Sequence, residues 1–303
     1  SVTGVQTCAL PISEADAADD IDTKPPAPAR GSTRRKLRIA LCVSGQLRGF
    51  DRAYPSWKLF GFERHQTTTF VDVWKDVGRN WQRIWNFARR RPFLWDTLVR
   101  PNAIPFLAPR YPRLMSESQR ASAHGNQADA KTLRDFYGTK HVRIEDDQTF
   151  EFVGKPNLWK MHYKIERAHQ LARRTRQEFD LIVRLRPDRE IAALDGFDLR
   201  ETAWRARQGR TVFVDDGYVF TERHTWIADQ LAIGTPETMD VYARVFSDLT
   251  SMIQQDRVPL DVERFFLPHA NLFYLMFYRG VLGRTLSGLK LGALLDQIGR
   301  AHV

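Results

Sequence analysis

The stretch DLIVRLR, Asp180 to Arg186, decides the fold. Leu181, Val183 and Leu185 alternate with Ile182 and Arg184, the two-residue period of a strand. Ahead of it Leu158, Met161, Ile165, Ala168 and Ala172 recur at steps of three and four. That spacing puts them on one face of a long helix, here expected from Leu158 to Phe179. A helix that returns at once to a strand is the mark of a βαβ crossover, and hence of parallel strands.

Upstream, LRIALCV (Leu37 to Val43) is a short apolar run that ends in Ser44-Gly45, as a buried parallel strand feeding a loop would. TTTFVDV (Thr67 to Val73) is rich in β-branched residues and reads as a second strand. Asn80 to Arg100 reads as helical up to Pro92, and Pro101 to Lys140 as loops with one short helix. Downstream, Thr211–Val214 and Tyr218–Phe220 flank Asp215-Asp216-Gly217 and predict a hairpin or a pair of strand ends. Ala228 to Ile233 reads as a strand, after which Thr235 caps a helix with Pro236 at its first position, running to about Gln255. A last helix is expected from Pro268 to Gly280. Strands alternating with helices imply an α/β fold with a mostly parallel sheet flanked by helices.

The two ends are read apart from the fold. Gln6-Thr7-Cys8-Ala9-Leu10-Pro11-Ile12 and Ile298-Gly299-Arg300-Ala301-His302-Val303 can be encoded by one DNA oligonucleotide read in opposite directions, and it resembles a common library adapter. The expectation is adapter-derived sequence at 1–12 and 298–303, from a gene captured as a fragment, with a single α/β domain over 37–297. Residues 13–36, rich in Ala, Asp and Pro, are expected to be a disordered leader. With Cys8 set aside, Cys42 stands alone, which leaves no intrachain disulfide and fits a reducing compartment.

The formal charge is +10, and basic surfaces suit nucleic acid, anionic membrane or phosphorylated ligands alike. Arg89-Arg90-Arg91 and Arg34-Arg35-Lys36 are the patches, read as a solvated face first, a membrane-surface contact second and nucleic acid last. No run approaches the roughly 18 apolar residues of a spanning helix.

Ligands of open α/β sheets bind beyond the carboxyl ends of strands, so candidate chemistry is sought there. Ser44-Gly45-Gln46-Leu47-Arg48-Gly49 follows the first strand: Gly45 admits close backbone approach, and Arg48 offers a charged donor to phosphate. Neither a P-loop nor G-x-G-x-x-G is present, which tells against ATPase and dinucleotide chemistry. Arg184-Leu185-Arg186-Pro187-Asp188-Arg189-Glu190 ends the crossover strand. Asp188 and Glu190, if extended, share one side and suit a divalent cation bridging a diphosphate, with Arg184 or Arg186 offsetting charge. The alternative is a surface ladder of ion pairs. On that loop reading, Asp188→Asn would abolish turnover and leave thermal stability nearly unchanged. Asp215-Asp216 with His224 and Asp229 forms the third group, in which Asp229 opens an apolar strand as a candidate general base. Cys pairs, H-E-x-x-H and G-x-S-x-G are lacking.

Taken in order, the segments resemble bacterial glycosyltransferase-like proteins of capsule and lipopolysaccharide gene clusters. The matching residues are Ser44, Gly45, Gln46 and Arg48; Val73-Trp74-Lys75-Asp76; Met161, Tyr163, Lys164 and Ile165; Asp180, Arg184, Arg186, Pro187 and Asp188; Asp229, Gln230, Ala232 and Gly234; and Met239, Asp240 and Tyr242. A His-Pro-Glu element of that pattern is replaced by Pro268-His269-Ala270. The resemblance implies a Rossmann-like, GT-A-type nucleotide-sugar fold that moves a sugar from a nucleoside-diphosphate donor to a surface-polysaccharide or lipid-linked saccharide acceptor. It implies Mn²⁺ or Mg²⁺ at Asp188, supported by Glu190 or Asp216, and donor contacts from Ser44, Gly45, Gln46, Arg48, Arg184 and Arg186. Asp229 and Asp216 are the catalytic candidates. The expected place is the cytoplasm, with peripheral contact at the inner membrane and no nucleic acid partner. The alternative from another class is a non-catalytic basic protein that binds nucleic acid or an anionic polymer, with affinity falling steeply in salt.

Overall fold

The computed structural model describes residues 35–77, 109–113, 127–149, 156–215, 217–221, 224–255 and 268–291. In chain order the strands are β1 (Arg38–Gly45), β2 (Gln66–Trp74), β3 (His141–Glu145), β4 (Leu181–Leu185), β5 (Ile191–Leu194), β6 (Thr211–Val214), β7 (Gly217–Thr221), β8 (His224–Ile227), β9 (Leu231–Gly234), β10 (Leu282–Thr285) and β11 (Leu289–Leu291). The helices are α1 (Phe50–Ala53), α2 (Ala130–Tyr137), α3 (Pro156–Arg174), α4 (Leu199–Gln208), α5 (Pro236–Ala243), α6 (Val245–Gln254) and α7 (Pro268–Tyr278).

Seven strands make the main sheet in the order β10-β6-β9-β4-β1-β2-β3. All neighbours run parallel except β9, which is antiparallel to both β4 and β6. The chain steps from β1 to β2 to β3 in one direction and then places β4 on the other flank of β1. The order therefore reverses between β1 and β4, the kind of place at whose carboxyl ends open α/β sheets hold ligands.

β1 shows why the sheet forms here. Ile39, Leu41 and Val43 pack with Leu181, Val183 and Leu185 on one face. Ala40 and Cys42 pack with Ile182 and with Ile165, Ala168 and Ala172 of α3 on the other. A strand buried on both faces carries an unbroken apolar run, as LRIALCV does. Of the three-and-four stripe, Ile165, Ala168 and Ala172 pack against the sheet. Asp129 and Thr235 cap α2 and α5 by accepting from the Thr132 and Thr238 amides, each satisfying an otherwise orphan donor.

Several elements differ from the sequence reading. β6 joins the main sheet beside β9, and the hairpin is instead β7 with β8. Asp229 lies in a bend before β9, which begins at Leu231. The helix after Thr235 divides into α5 and α6 at Arg244. Helix α3 ends at Arg174, five residues before Phe179, where Arg176 takes a left-handed φ of 55°. β5, α4, β10 and β11 were not foreseen; α4 does carry a cap signal, because the Asp198 side chain accepts from the amides of Arg200 and Glu201. The helix expected over 80–100, with Arg89-Arg90-Arg91, lies outside the described residues. Among the described residues no helix is long and apolar enough to cross a membrane.

Candidate functional site

The site is built from segments that the chain brings to one edge. β1 ends in Ser44-Gly45, where Gly45 has a φ of 123° that only glycine adopts without strain. A side chain there would also point at Arg186 and Pro187, 3.7 and 3.8 Å from its first carbon. The loop thus bends tightly against the segment after β4, and Arg48 reaches across it. Arg48 Nε donates to Asp188 Oδ2 at 2.7 Å, joining positions far apart in sequence.

Asp188 is not extended, as the sequence reading assumed. Pro187 and Asp188 lie in a turn, with the Arg189 amide donating to the Arg186 carbonyl at 3.0 Å. Trp57 Nε1 holds that turn by donating to the Arg189 carbonyl at 2.7 Å, and Arg186 N donates to the Gln230 carbonyl at 2.9 Å. A turn does not repeat the two-residue alternation of a strand. Asp188 is consequently buried while Glu190 is half-buried, so the ion pairs Asp188 makes with arginines lie below the surface.

Arg186 completes the grip on Asp188. Its Nε donates to Oδ1 at 2.5 Å and its Nη2 approaches Oδ2 at 3.4 Å. Burial alone would raise the Asp188 pKa, but the Arg186 and Arg48 charges and hydrogen bonds outweigh it and hold the carboxyl at about 2. Burial likewise opposes the charge on Arg186, yet Asp188 and Asp229 together raise its pKa.

Behind this pair lies a second, deeper set. Arg184, only 2% exposed, donates from Nε to Ser44 Oγ at 3.3 Å, while its Nη1 is buried with no hydrogen-bond partner. The Tyr242 hydroxyl, also buried and without such a partner, feels Arg184, Asp229 and Asp215; burial is the main cause of its raised pKa. Arg189 pairs with Asp215 at 3.3 Å, and Asp215 Oδ1 accepts from the Leu231 amide at 3.1 Å. Burial raises the Asp215 pKa, Arg189 opposes it, and Asp229 adds to it. Asp229 itself is 2% exposed.

The structure thus brings together Ser44, Gly45, Arg48, Arg184, Arg186, Asp188 and Asp229, all at the carboxyl edge of the sheet or in the loops that leave it. Gln46 sits half-buried in the same loop. Asp216 lies outside the described residues, as does the side chain of His224. Arg189, Asp215 and Tyr242 join the site without having been given roles beforehand. The signal for Arg189 was weak, because an arginine beside acids in a loop reads as solvated until the turn buries it.

The donor set does not fit a divalent cation in this arrangement. Both Asp188 oxygens accept from arginines, so a cation there would share the carboxylate with two guanidinium charges that repel it. Among the described residues no group of three or more His, Cys, Asp or Glu side chains could hold a metal ion. Arg48, Arg184, Arg186 and Arg189 gather here with Asp188, Asp215 and Asp229, and guanidinium groups are well suited to donate to the oxygens of an anion.

Two other features compete for attention. Lys164, fully buried, donates to Asp72 at 2.7 Å and Glu145 at 2.6 Å under the Trp74 ring, and Arg143 also pairs with Asp72. Its hydrogen bonds are satisfied, so it braces β2 and β3 against α3. A cleft of about 980 Å³ lies at the amino ends of β2 and β3, lined by Tyr54, Trp57, Thr67, Tyr137 and His141 among others. None of the candidate residues lines it.

Models of known protein families give no match to the chain, and curated protein sequences give none either.

Proposed function

We propose that the chain is a glycosyltransferase of the GT-A type that moves a sugar from a nucleoside-diphosphate donor to a surface-polysaccharide or lipid-linked saccharide acceptor. The observation that carries this reading is the convergence of Arg48, Arg184 and Arg186 around Ser44 and Asp188, where the strand order reverses between β1 and β4. The carboxyl side of such a reversal is where open α/β sheets hold nucleotides. Here the cluster of guanidinium groups suits a diphosphate leaving group, whose charge grows as the glycosidic bond breaks.

In this scheme Gly45 lets the donor lie against the backbone, and Arg48 and Arg186 stabilise the departing diphosphate. Arg184 adds a field from a buried and therefore poorly screened position. Asp229 takes the proton from the acceptor hydroxyl. No step is routed through a metal. The basic surface suits a peripheral place at the cytoplasmic face of the inner membrane, near a lipid-linked acceptor.

The test is thermal unfolding of the chain with a panel of UDP-, GDP-, CMP- and dTDP-sugars, followed by an assay for nucleotide release. A donor at about one hundred times its dissociation constant adds roughly 2.7 kcal/mol and should raise the midpoint by several degrees. Absence of a shift with every donor, from a cooperatively unfolding sample, overturns the proposal.

A further inference from the structure

We infer that the site holds a diphosphate with an arginine clamp and without a divalent cation, Asp188 serving as the positioning residue that aims Arg48 and Arg186. This rests on the proposed reading that the ligand is a nucleoside diphosphate, and it names the means of recognition.

The argument begins with how the carboxylate is used. Arg48 spends only its Nε–H on Asp188, and Arg186 spends Nε and one Nη. A guanidinium carries five N–H donors in a fixed plane, so Asp188 grips each by one edge and leaves Nη donors for a ligand. Their side chains are 19% and 14% exposed, whereas that of Asp188 is only 3% exposed. The carboxylate is thus below, and the two cations lie between it and solvent. An incoming cation would meet guanidinium groups first, and an incoming oxyanion would meet donors already oriented. Preorganised donors need no rearrangement at the moment of binding, which is the condition under which they act most strongly.

Arg184 supplies the second observation. Its buried Nη1 lacks a hydrogen-bond partner, and the buried Tyr242 hydroxyl lacks one too. Unsatisfied buried donors are uncommon and call for an acceptor. A phosphate oxygen reaching past Ser44 would supply it. Two half-buried guanidinium groups and the buried one of Arg184 match the two phosphoryl groups of a diphosphate better than a single carboxylate or sulfate.

The experiment is calorimetric titration of the intact chain with inorganic pyrophosphate and with UDP and GDP, in EDTA and again in Mg²⁺ or Mn²⁺. The expected result is binding in EDTA within about threefold of that with the cation, weakened at least about tenfold by Arg48→Gln and less by Arg48→Lys, which keeps the charge but loses the fork. Asp188→Asn should weaken pyrophosphate at least about tenfold at a temperature where its near-ultraviolet circular dichroism matches the parent. A fold-wide defect would alter the spectrum as well. Pyrophosphate binding only with a cation overturns the clamp and leaves the glycosyltransferase reading standing. Pyrophosphate binding in EDTA without turnover of any nucleotide sugar upholds the clamp and overturns that reading instead. Failure of pyrophosphate, UDP and GDP to bind under either condition overturns the clamp.

Discussion

Replacing Asp188 by Asn removes one charge from a buried cluster, and the structure sets the size of the loss. The Asp188 carboxyl is held at about 2 against an ordinary 3.8. That difference of nearly two pH units, at roughly 1.4 kcal/mol each, corresponds to a contribution on the order of 2–3 kcal/mol at neutral pH. Breaking a fully buried pair costs more, about 3–5 kcal/mol, because the surviving charge is stranded. Here Arg48 and Arg186 retain some contact with water, and Asn keeps one carbonyl acceptor, so the lower figure applies. For a domain of this size it amounts to a midpoint lowered by about 5–10 °C.

The sign follows from the direction of the shift. The folded pKa lies below the unfolded one, so the contribution is complete above the unfolded value and disappears as pH falls through the folded one. Urea unfolding of parent and Asp188→Asn should therefore differ by about 2–3 kcal/mol from pH 7 down to about pH 5, and converge toward about pH 2. A difference below about 0.5 kcal/mol near pH 7 would refute the reasoning, as would a gap that persists unchanged into acid. This reverses the expectation from sequence that the substitution would leave stability nearly untouched, because that expectation took Asp188 for a loop acid in solvent.

Two further outcomes follow from buried groups away from the clamp. Lys164→Met should cost about 3 kcal/mol in chemical denaturation, because it leaves Asp72 and Glu145 sharing the pocket with less positive charge; a loss under about 1 kcal/mol would show that Arg143 suffices alone. Burial pushes the Cys42 thiol up to about 12 despite the nearby Arg184. In a Cys8→Ser background it should resist a thiol reagent near pH 8 until denaturant is added, and rapid labelling of the native protein would contradict the packing.

The sequence by itself determined the parallel core. LRIALCV is apolar on both faces, DLIVRLR is apolar at Leu181, Val183 and Leu185 on one face, and the helix between them in chain order, α3, carries its stripe at the spacing that packs on strands. Such patterns are local, and local periodicity is what hydrophobic burial reads. The sequence also marked the strand ends at Ser44-Gly45 and at Pro187, where the candidate residues gather. It did not determine that β9 runs against its neighbours, nor that β6 inserts beside it, because short apolar strands carry no label of direction or partner. Above all it left Asp188 ambiguous between a cation ligand and a surface ion pair. What the tertiary structure adds is the surroundings of Asp188: Arg48 folds over a turn pinned by Trp57, so that two guanidinium groups pair with one buried carboxylate. Charge alone does not tell a solvated arginine from a buried one; that depends on which residues distant in the chain exclude the water around it.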